Sequence, residues 1–246
     1  MSRPAGMILA AGRGERLAGV QPPFAKPLAH VAGRPAVAWA ASAIADDVDR
    51  LVAVVSPACA AAIEAAIAEA LEGSGLPVDI CVQAEPKGVA AAVGEGIRRA
   101  GLTGPLIVAC GDNVMEPGAA SAHARRLAEA PDVTMTWAAR WLDGRSPSEF
   151  AALIDTGGGR RLVEKASGIE SAFCWCGPVG FSDARDALRR IEALEPSARG
   201  EVEMVDLMNG YIAEGRAEAV PLEGRWFDIG TGPRLAACRA AMEPHG

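Results

Sequence analysis

Lysine is nearly absent from this chain: 246 residues hold three lysines against 21 arginines. Arginine is thus the general-purpose surface cation. Of Lys26, Lys87 and Lys165, the first and last stand out as compact ammonium groups, suited to phosphate oxygens that a broad guanidinium fits less well. Positive charge is scarce overall, and a formal net charge of −7 lacks the basic footprint of a nucleic-acid binder. A local cluster of cations with a metal could still hold phosphates. No apolar run reaches the length of a membrane span and no signal-like segment precedes a cleavage site, so no membrane partner is expected and the expected location is cytoplasmic. The CxxC spacing of a structural zinc site is missing too. The six cysteines (Cys59, Cys81, Cys110, Cys174, Cys176 and Cys238) mostly lie in apolar surroundings and read as buried thiols. Cys174 and Cys176, alternating along a strand, are the one pair a metal could share. His30, His123 and His245 show no spacing to a nucleophile that would suggest a triad, and are expected at the surface or in loops.

What the chain does have is concentrated at its start. Apolar residues from Met7 lead straight into Gly12-Arg13-Gly14-Glu15-Arg16-Leu17, with Lys26 ten residues beyond Arg16. This reads as a buried strand emptying into a glycine turn. The N–H groups of such a turn approach an anion closely, and Arg16 and Lys26 add the charge a polyphosphate requires. The combination points to a nucleoside triphosphate. It matches neither common glycine loop: a dinucleotide fingerprint wants a third glycine where Leu17 stands, and Gly-Lys-Ser/Thr occurs nowhere.

Apolar runs at 6–10, 51–55, 78–82 and 106–110 alternate with alanine-rich helical segments at 35–45, 59–72 and 89–100. That alternation predicts right-handed strand–helix–strand crossovers and a parallel sheet covered on both faces. Such sheets bind ligands at the carboxyl ends of their strands, where 11–26 and Gly111-Asp112 fall. The second half changes texture. Strands at 133–139, 150–154, 161–164 and 174–181, separated by glycine-rich turns, read as antiparallel strands added to the sheet or covering it. Helices at 184–193 and 203–213, a strand at 217–220 and a closing helix over 233–242, with Thr231 available to cap it, complete an α/β chain. One domain over 1–246 is expected, with a nucleotide-binding half over about 1–130 and an acceptor half over about 131–246.

Two carboxylates occupy matching settings. Asp112, in Cys110-Gly111-Asp112-Asn113, ends an apolar strand, and Asp228, in Trp226-Phe227-Asp228-Ile229-Gly230-Thr231-Gly232, follows an apolar pair and precedes a glycine turn. An aspartate at a strand end is a natural ligand for a hard cation bridging phosphates, and by itself is equally a turn former. Taken together, LAAGxGxRL with a downstream lysine, GD at a strand end and W-x-D-x-G-T near the C-terminus resemble the signature of the sugar-1-phosphate nucleotidylyltransferases. Three further blocks resemble the same family. They are Gln83-Ala84-Glu85-Pro86-Lys87-Gly88, Val163-Glu164-Lys165, and the run from Pro196 to Asp206, which is close to PSARGELEITD of glucose-1-phosphate thymidylyltransferases. The resemblance covers nearly the whole chain, from Met7 to Ala241.

The resemblance implies a Rossmann-like three-layer nucleotidyltransferase fold, with a mixed, mainly parallel central sheet and a small antiparallel sugar-binding portion. It implies transfer of a nucleotidyl group from a triphosphate, dTTP or UTP favoured, to a sugar 1-phosphate, with release of pyrophosphate. Leu9, Ala11, Gly12, Arg13, Gly14, Gln83 and Gly88 would bind the nucleotide. Arg16, Lys26, Asp112 and Asp228 would be catalytic, the two aspartates holding Mg2+. Phe150, Ala151, Glu164, Lys165, Trp175 and Arg199 would form the sugar-phosphate site. The nucleophile is already an anionic phosphate oxygen, so no general base is required; alignment and charge neutralisation carry the reaction. Oligomeric state is left open, a homo-oligomer included.

The chain departs from the thymidylyl branch at Ala11-Gly12, where that branch has Gly-Gly, and at Ala25-Lys26-Pro27, where it has Ser-Lys-Gln. These two versions are similar to uridylyl and other branches. Phe150-Ala151 replaces Tyr-Gly, Trp175 replaces a small residue and Ala166 replaces a proline, which together reshape the sugar pocket. Two other readings follow: the same chemistry on a different phosphate monoester, such as a phospho-alcohol, with CTP or UTP, or a non-catalytic nucleotide-sugar-binding regulatory protein. The latter would be free to lose Lys26 or a metal carboxylate. This chain keeps all three.

Overall fold

The computed structural model describes residues 3–12, 26–142, 150–165, 168 and 172–242. Its first half comprises β1 (Ala5–Ala10), a 3-10 turn (Lys26–Leu28), the hairpin β2 (His30–Val31) and β3 (Arg34–Pro35), α1 (Ala36–Ala45), β4 (Leu51–Val55), α2 (Ala60–Ala70), β5 (Val78–Val82), α3 (Val89–Ala100), β6 (Leu106–Cys110), β7 (Asn113–Met115) and α4 (Ser121–Glu129). Its second half comprises β8 (Met135–Trp141), β9 (Ala151–Asp155), β10 (Arg160–Glu164), β11 (Phe173–Phe181), α5 (Ala184–Glu192), α6 (Met204–Ala213), β12 (Ala217–Pro221), β13 (Trp226–Asp228) and α7 (Gly232–Met242).

Side chains of β1 alternate between two apolar layers, as the pleat requires. Met7 and Leu9 join Val52, Val54, Val93 and Ile97 beneath α3, α5 and α6, whereas Ile8 and Ala10 join Ala53, Val55, Ile44 and Ile63 beneath α1 and α2. Helices therefore cover both faces. β6, β1, β4 and β5 lie side by side in parallel, joined by crossovers. α3 approaches the sheet closely because Gly96 has no side chain; a Cβ there would fall 2.6 Å from Met7 Cε.

β11 pairs antiparallel with β6 through Val179 opposite Val108, and also with β8 and β9. The antiparallel strands thus extend the sheet rather than covering it. β10 follows β9, and β12 lies parallel to β8. β8 starts at Met135, two residues later than the apolar pattern predicts, because the Val133 N–H is turned back onto the Ala130 carbonyl. The α7 helix begins at Gly232, with the Leu235 N–H bonded to the Thr231 carbonyl at 2.9 Å, so Thr231 stands at the helix entry as expected. No helix among the described residues is long and apolar enough to cross a membrane.

Two polar side chains inside this core correct or complete the sequence reading. His123, expected at the surface or in a loop, is buried where α4 meets β8, with Nδ1 2.9 Å from Thr136 Oγ1. In α4 only His123 and Leu127 are buried, so the imidazole fills the helix's inward face; burial holds its pKa down to about 4. The sole tyrosine, Tyr211, donates from its hydroxyl to Asp186 (2.9 Å) and lies under the Arg190 guanidinium, pinning α6 to α5. Cys174 and Cys176 fall into separate apolar clusters, beside Ala152 and beside Ala138, and burial pushes their thiols up to about 11 and about 12.

Candidate active site

β1, β5 and β6 end along one edge of the sheet, and parallel pairing brings the segments that follow them together. The Leu9 carbonyl accepts the Gly111 N–H at 2.8 Å, tying the first strand to the turn that carries Asp112. Ala11 is buried in the core, whereas Gly12 is exposed and an added Cβ would meet nothing within 4 Å among the described residues. Arg13, Gly14 and Arg16 lie outside the described residues. Lys26 opens the 3-10 turn, its carbonyl accepting the Ala29 N–H at 3.0 Å. The Lys26 ammonium stands 3.9 Å from Asp112 Oδ2, and both side chains are largely covered.

A short ladder unites the two aspartates. β7 pairs antiparallel with β13, setting Asn113 opposite Asp228 and Met115 opposite Trp226. The Ile229 N–H then donates to the Asp112 carbonyl at 3.2 Å. Burial, and next the negative charge of Asp228, push the Asp112 carboxyl above the ordinary carboxylate range, while Lys26 opposes the rise. Each carboxylate is held. Asp112 Oδ1 accepts from Asn113 Nδ2 (3.2 Å), and Asn113 Oδ1 in turn accepts the Trp226 indole N–H (2.9 Å). Asp228 Oδ1 accepts the Gly230 N–H (2.6 Å), and Oδ2 accepts from the Arg234 guanidinium (3.1 Å).

Two adjacent carboxylates whose repulsion Lys26 relieves only in part are a donor set of hard oxygens, and they fit a divalent cation that takes phosphate and water as its remaining ligands. Among the described residues, no group of three or more His, Cys, Asp or Glu side chains forms a self-sufficient metal cage.

In the second half, β9 and β10 set Ala151 opposite Glu164, so these side chains share a face. Phe150, one residue earlier, takes the other side. Its ring lies 5.5 Å from Trp226, and the Arg234 guanidinium sits 4.7 Å above it. Phe150 and Ala151 thus have different neighbours: Ala151 packs into the layer under α3 and α6, and Phe150 packs beside Ala152 and lies beneath Arg234, the partner of Asp228. Lys165 follows in left-handed backbone (φ 51°), its N–H bonded to the Phe150 carbonyl at 3.0 Å. Arg199 meets Glu164 at 3.5 Å and Glu203 at 2.8 Å. Trp175 lies at the irregularity of β11 before Val179, its indole N–H donated to the Gly177 carbonyl at 3.2 Å.

The nucleobase block and the arginine block also meet. Gln83 is buried at the end of β5, its N–H on the Val55 carbonyl (2.8 Å). Gly88 has φ 106°, and a Cβ there would lie 2.4 Å from the Val202 carbonyl oxygen and 2.6 Å from its nitrogen. Only glycine allows that approach, which is locked by Val202 N–H to the Lys87 carbonyl and Ala90 N–H to the Val202 carbonyl. Three participants escape sequence reasoning as site residues. Asn113 and Trp226 sit inside recognised motifs but look like spacers there. Arg234 carries no signal at all, because its role comes from stacking on a ring 84 positions earlier in the chain.

Glucose-1-phosphate thymidylyltransferases of Actinoplanes sp. and Xanthomonas campestris are 26% and 28% identical to this chain, over 97% and 94% of it and 77% and 78% of their own lengths. A Bacillus anthracis protein solved in complex with a sucrose superposes with a TM-score of 0.81 at 22% identity, covering 98% of this chain and 96% of that one. UDP-glucose pyrophosphorylase complexed with UDP-glucose gives a TM-score of 0.80 at 16% identity, with 98% of each chain covered. These two likenesses establish the fold. The nucleotidyl transferase family matches residues 5–243, across both the carboxylate ladder and the second half. The chain belongs to the nucleotidyl transferase family, and the resemblance of its motifs to the sugar-1-phosphate nucleotidylyltransferases extends over almost its full length.

Proposed function

We propose that this protein transfers a nucleotidyl group from a nucleoside triphosphate, dTTP or UTP favoured, to a sugar 1-phosphate, releasing pyrophosphate. The observation that carries this reading is the meeting of Asp112, Asp228 and Lys26 at the carboxyl edge of the sheet. Asp112 and Asp228 would hold Mg2+, which when bound supplies charge neutralisation to the phosphates. The acceptor phosphate oxygen attacks the α-phosphorus in line; the bond to the bridging oxygen breaks, and its electron pair leaves with pyrophosphate. No proton changes hands. Lys26 sets its ammonium against the oxygens where charge grows, and Arg16, with the N–H groups of Arg13 and Gly14, receives the departing pyrophosphate.

Gln83 and Gly88 would meet the base. Lys165 and Arg199 would hold the attacking phosphate and Glu164 the sugar hydroxyls, so Arg199 exchanges carboxylate partners for phosphate as the acceptor enters. Trp175, Ala151 and Phe150 set the shape of the acceptor pocket. The engagement of Phe150 with Trp226 and Arg234 favours a second reading, in which another phosphate monoester is used with CTP or UTP. Pyrophosphate release, measured across the common nucleoside triphosphates against sugar 1-phosphates and phospho-alcohols, decides between them. The expected result is release that needs both substrates and is fastest with dTTP or UTP and a sugar 1-phosphate. Nucleotide binding with no release for any pair would overturn both readings.

A further inference from the structure

Arg234 projects from the first turn of α7, and Asp228 and Phe150 are among its neighbours. Its guanidinium donates to Asp228 Oδ2 at 3.1 Å and lies 4.7 Å over the Phe150 ring, with 17% of the side chain exposed. The ring beneath it is fixed in turn, 5.5 Å from Trp226, whose indole is hydrogen-bonded to Asn113 in the β7–β13 ladder. With the Gly230 N–H on Oδ1, both oxygens of Asp228 already have donors. Among the described residues charge is paired as well: Asp112 has Lys26 beside it, and Asp228 has Arg234. A divalent cation entering alone must displace or share the guanidinium, and adds two positive charges to carboxylates that already have cationic partners. A triphosphate arriving with the cation more than cancels that excess.

We infer that Arg234 is the resident counter-cation of Asp228, and that it keeps the carboxylate pair closed to a free divalent cation until a triphosphate brings one in. The aromatic shelf of Phe150 holds the guanidinium within reach while it is displaced, so it returns when product and metal leave. Arg234 is thus a positioning residue that orders binding, nucleotide with metal rather than metal first. The inference rests on the reading of Asp112 and Asp228 as the metal carboxylates.

The test is Mn2+ binding to the free protein, titrated by electron paramagnetic resonance without nucleotide or turnover. Wild type should bind weakly. Arg234→Met, which keeps an apolar chain over Phe150, should bind Mn2+ about tenfold more tightly or better, the scale of one charge-assisted hydrogen bond. That gain should vanish in the Asp228→Asn background. A non-hydrolysable triphosphate should raise Mn2+ affinity more in wild type than in Arg234→Met. Unchanged or weaker binding by Arg234→Met, where Asp228→Asn does weaken binding, overturns the inference and leaves the carboxylate reading intact. Binding indifferent to Asp228→Asn overturns both. Arg234→Gln, judged by the same outcomes, carries the test if methionine disturbs the fold.

Discussion

Replacing Gly88 by alanine should damage the protein far beyond the loss of a flexible residue. Gly88 lies at φ 106° and ψ 164°, a region that residues with a side chain all but avoid. Forcing alanine into it costs about 2 kcal/mol. The new methyl would stand 2.4 Å from the Val202 carbonyl oxygen, and the backbone must separate to admit it. Separation removes the Val202–Lys87 and Ala90–Val202 hydrogen bonds, at about 1 kcal/mol each. The sum, about 4 kcal/mol, corresponds to a fall in melting temperature of about 8–16 °C for a chain of this size. Gly101→Ala is the matched control: φ is 59°, yet no described residue lies within 4 Å of the added Cβ, so backbone strain of about 1 kcal/mol is all it should cost. Urea and thermal unfolding of the two variants measure the difference. Because Val202 closely follows Arg199, Gly88→Ala should also raise the KM for the phosphorylated acceptor. Equal losses in the two variants would refute the close approach to Val202.

Two further substitutions separate chemistry from stability. Asp112→Asn should lower turnover by about 10²–10³-fold through loss of electrostatic stabilisation. Its melting temperature at pH 7 without divalent metal should match or exceed wild type, because asparagine removes a buried charge facing Asp228; a near-wild-type rate would sink the assignment. His123→Gln tests the buried imidazole. Folding lowers its pKa from 6.5 to about 4, so the unfolded chain takes up the proton first. Its contribution is complete above 6.5 and is lost as pH falls through the window down to about 4, by about 3 kcal/mol in all. Urea titrations across that range should show wild type losing stability relative to His123→Gln; parallel curves would contradict the burial.

The central parallel strands are legible because their apolar runs are long for their position and are separated by alanine-rich helices of the right length. β2, β3, β7 and β13 are not, since strands of two or three residues leave no period to read. α4 is hidden for a related reason: with only His123 and Leu127 buried, its inward face is too narrow to mark a helix. Asp112 and Asp228 are legible as motif residues, but the ladder that joins them depends on Val114 and Phe227, which look like ordinary apolar filler. Phe150 illustrates the limit best. Motif position marks it for the sugar-phosphate site but does not disclose its neighbours: the ring lies beside Trp226, and the cation above it comes from α7, far along the chain. Adjacent residues can be read from a sequence; which side of a strand finds a partner, and where that partner comes from, depends on the packed fold.

The account stands most directly on one measurement: whether label on the α-phosphorus of dTTP or UTP is transferred to a sugar 1-phosphate. Wild type should form a labelled nucleotide sugar in step with pyrophosphate, and Asp228→Asn, with its fold intact, should form almost none. Label that stays in the triphosphate, or that transfers equally well in Asp228→Asn, would contradict the account.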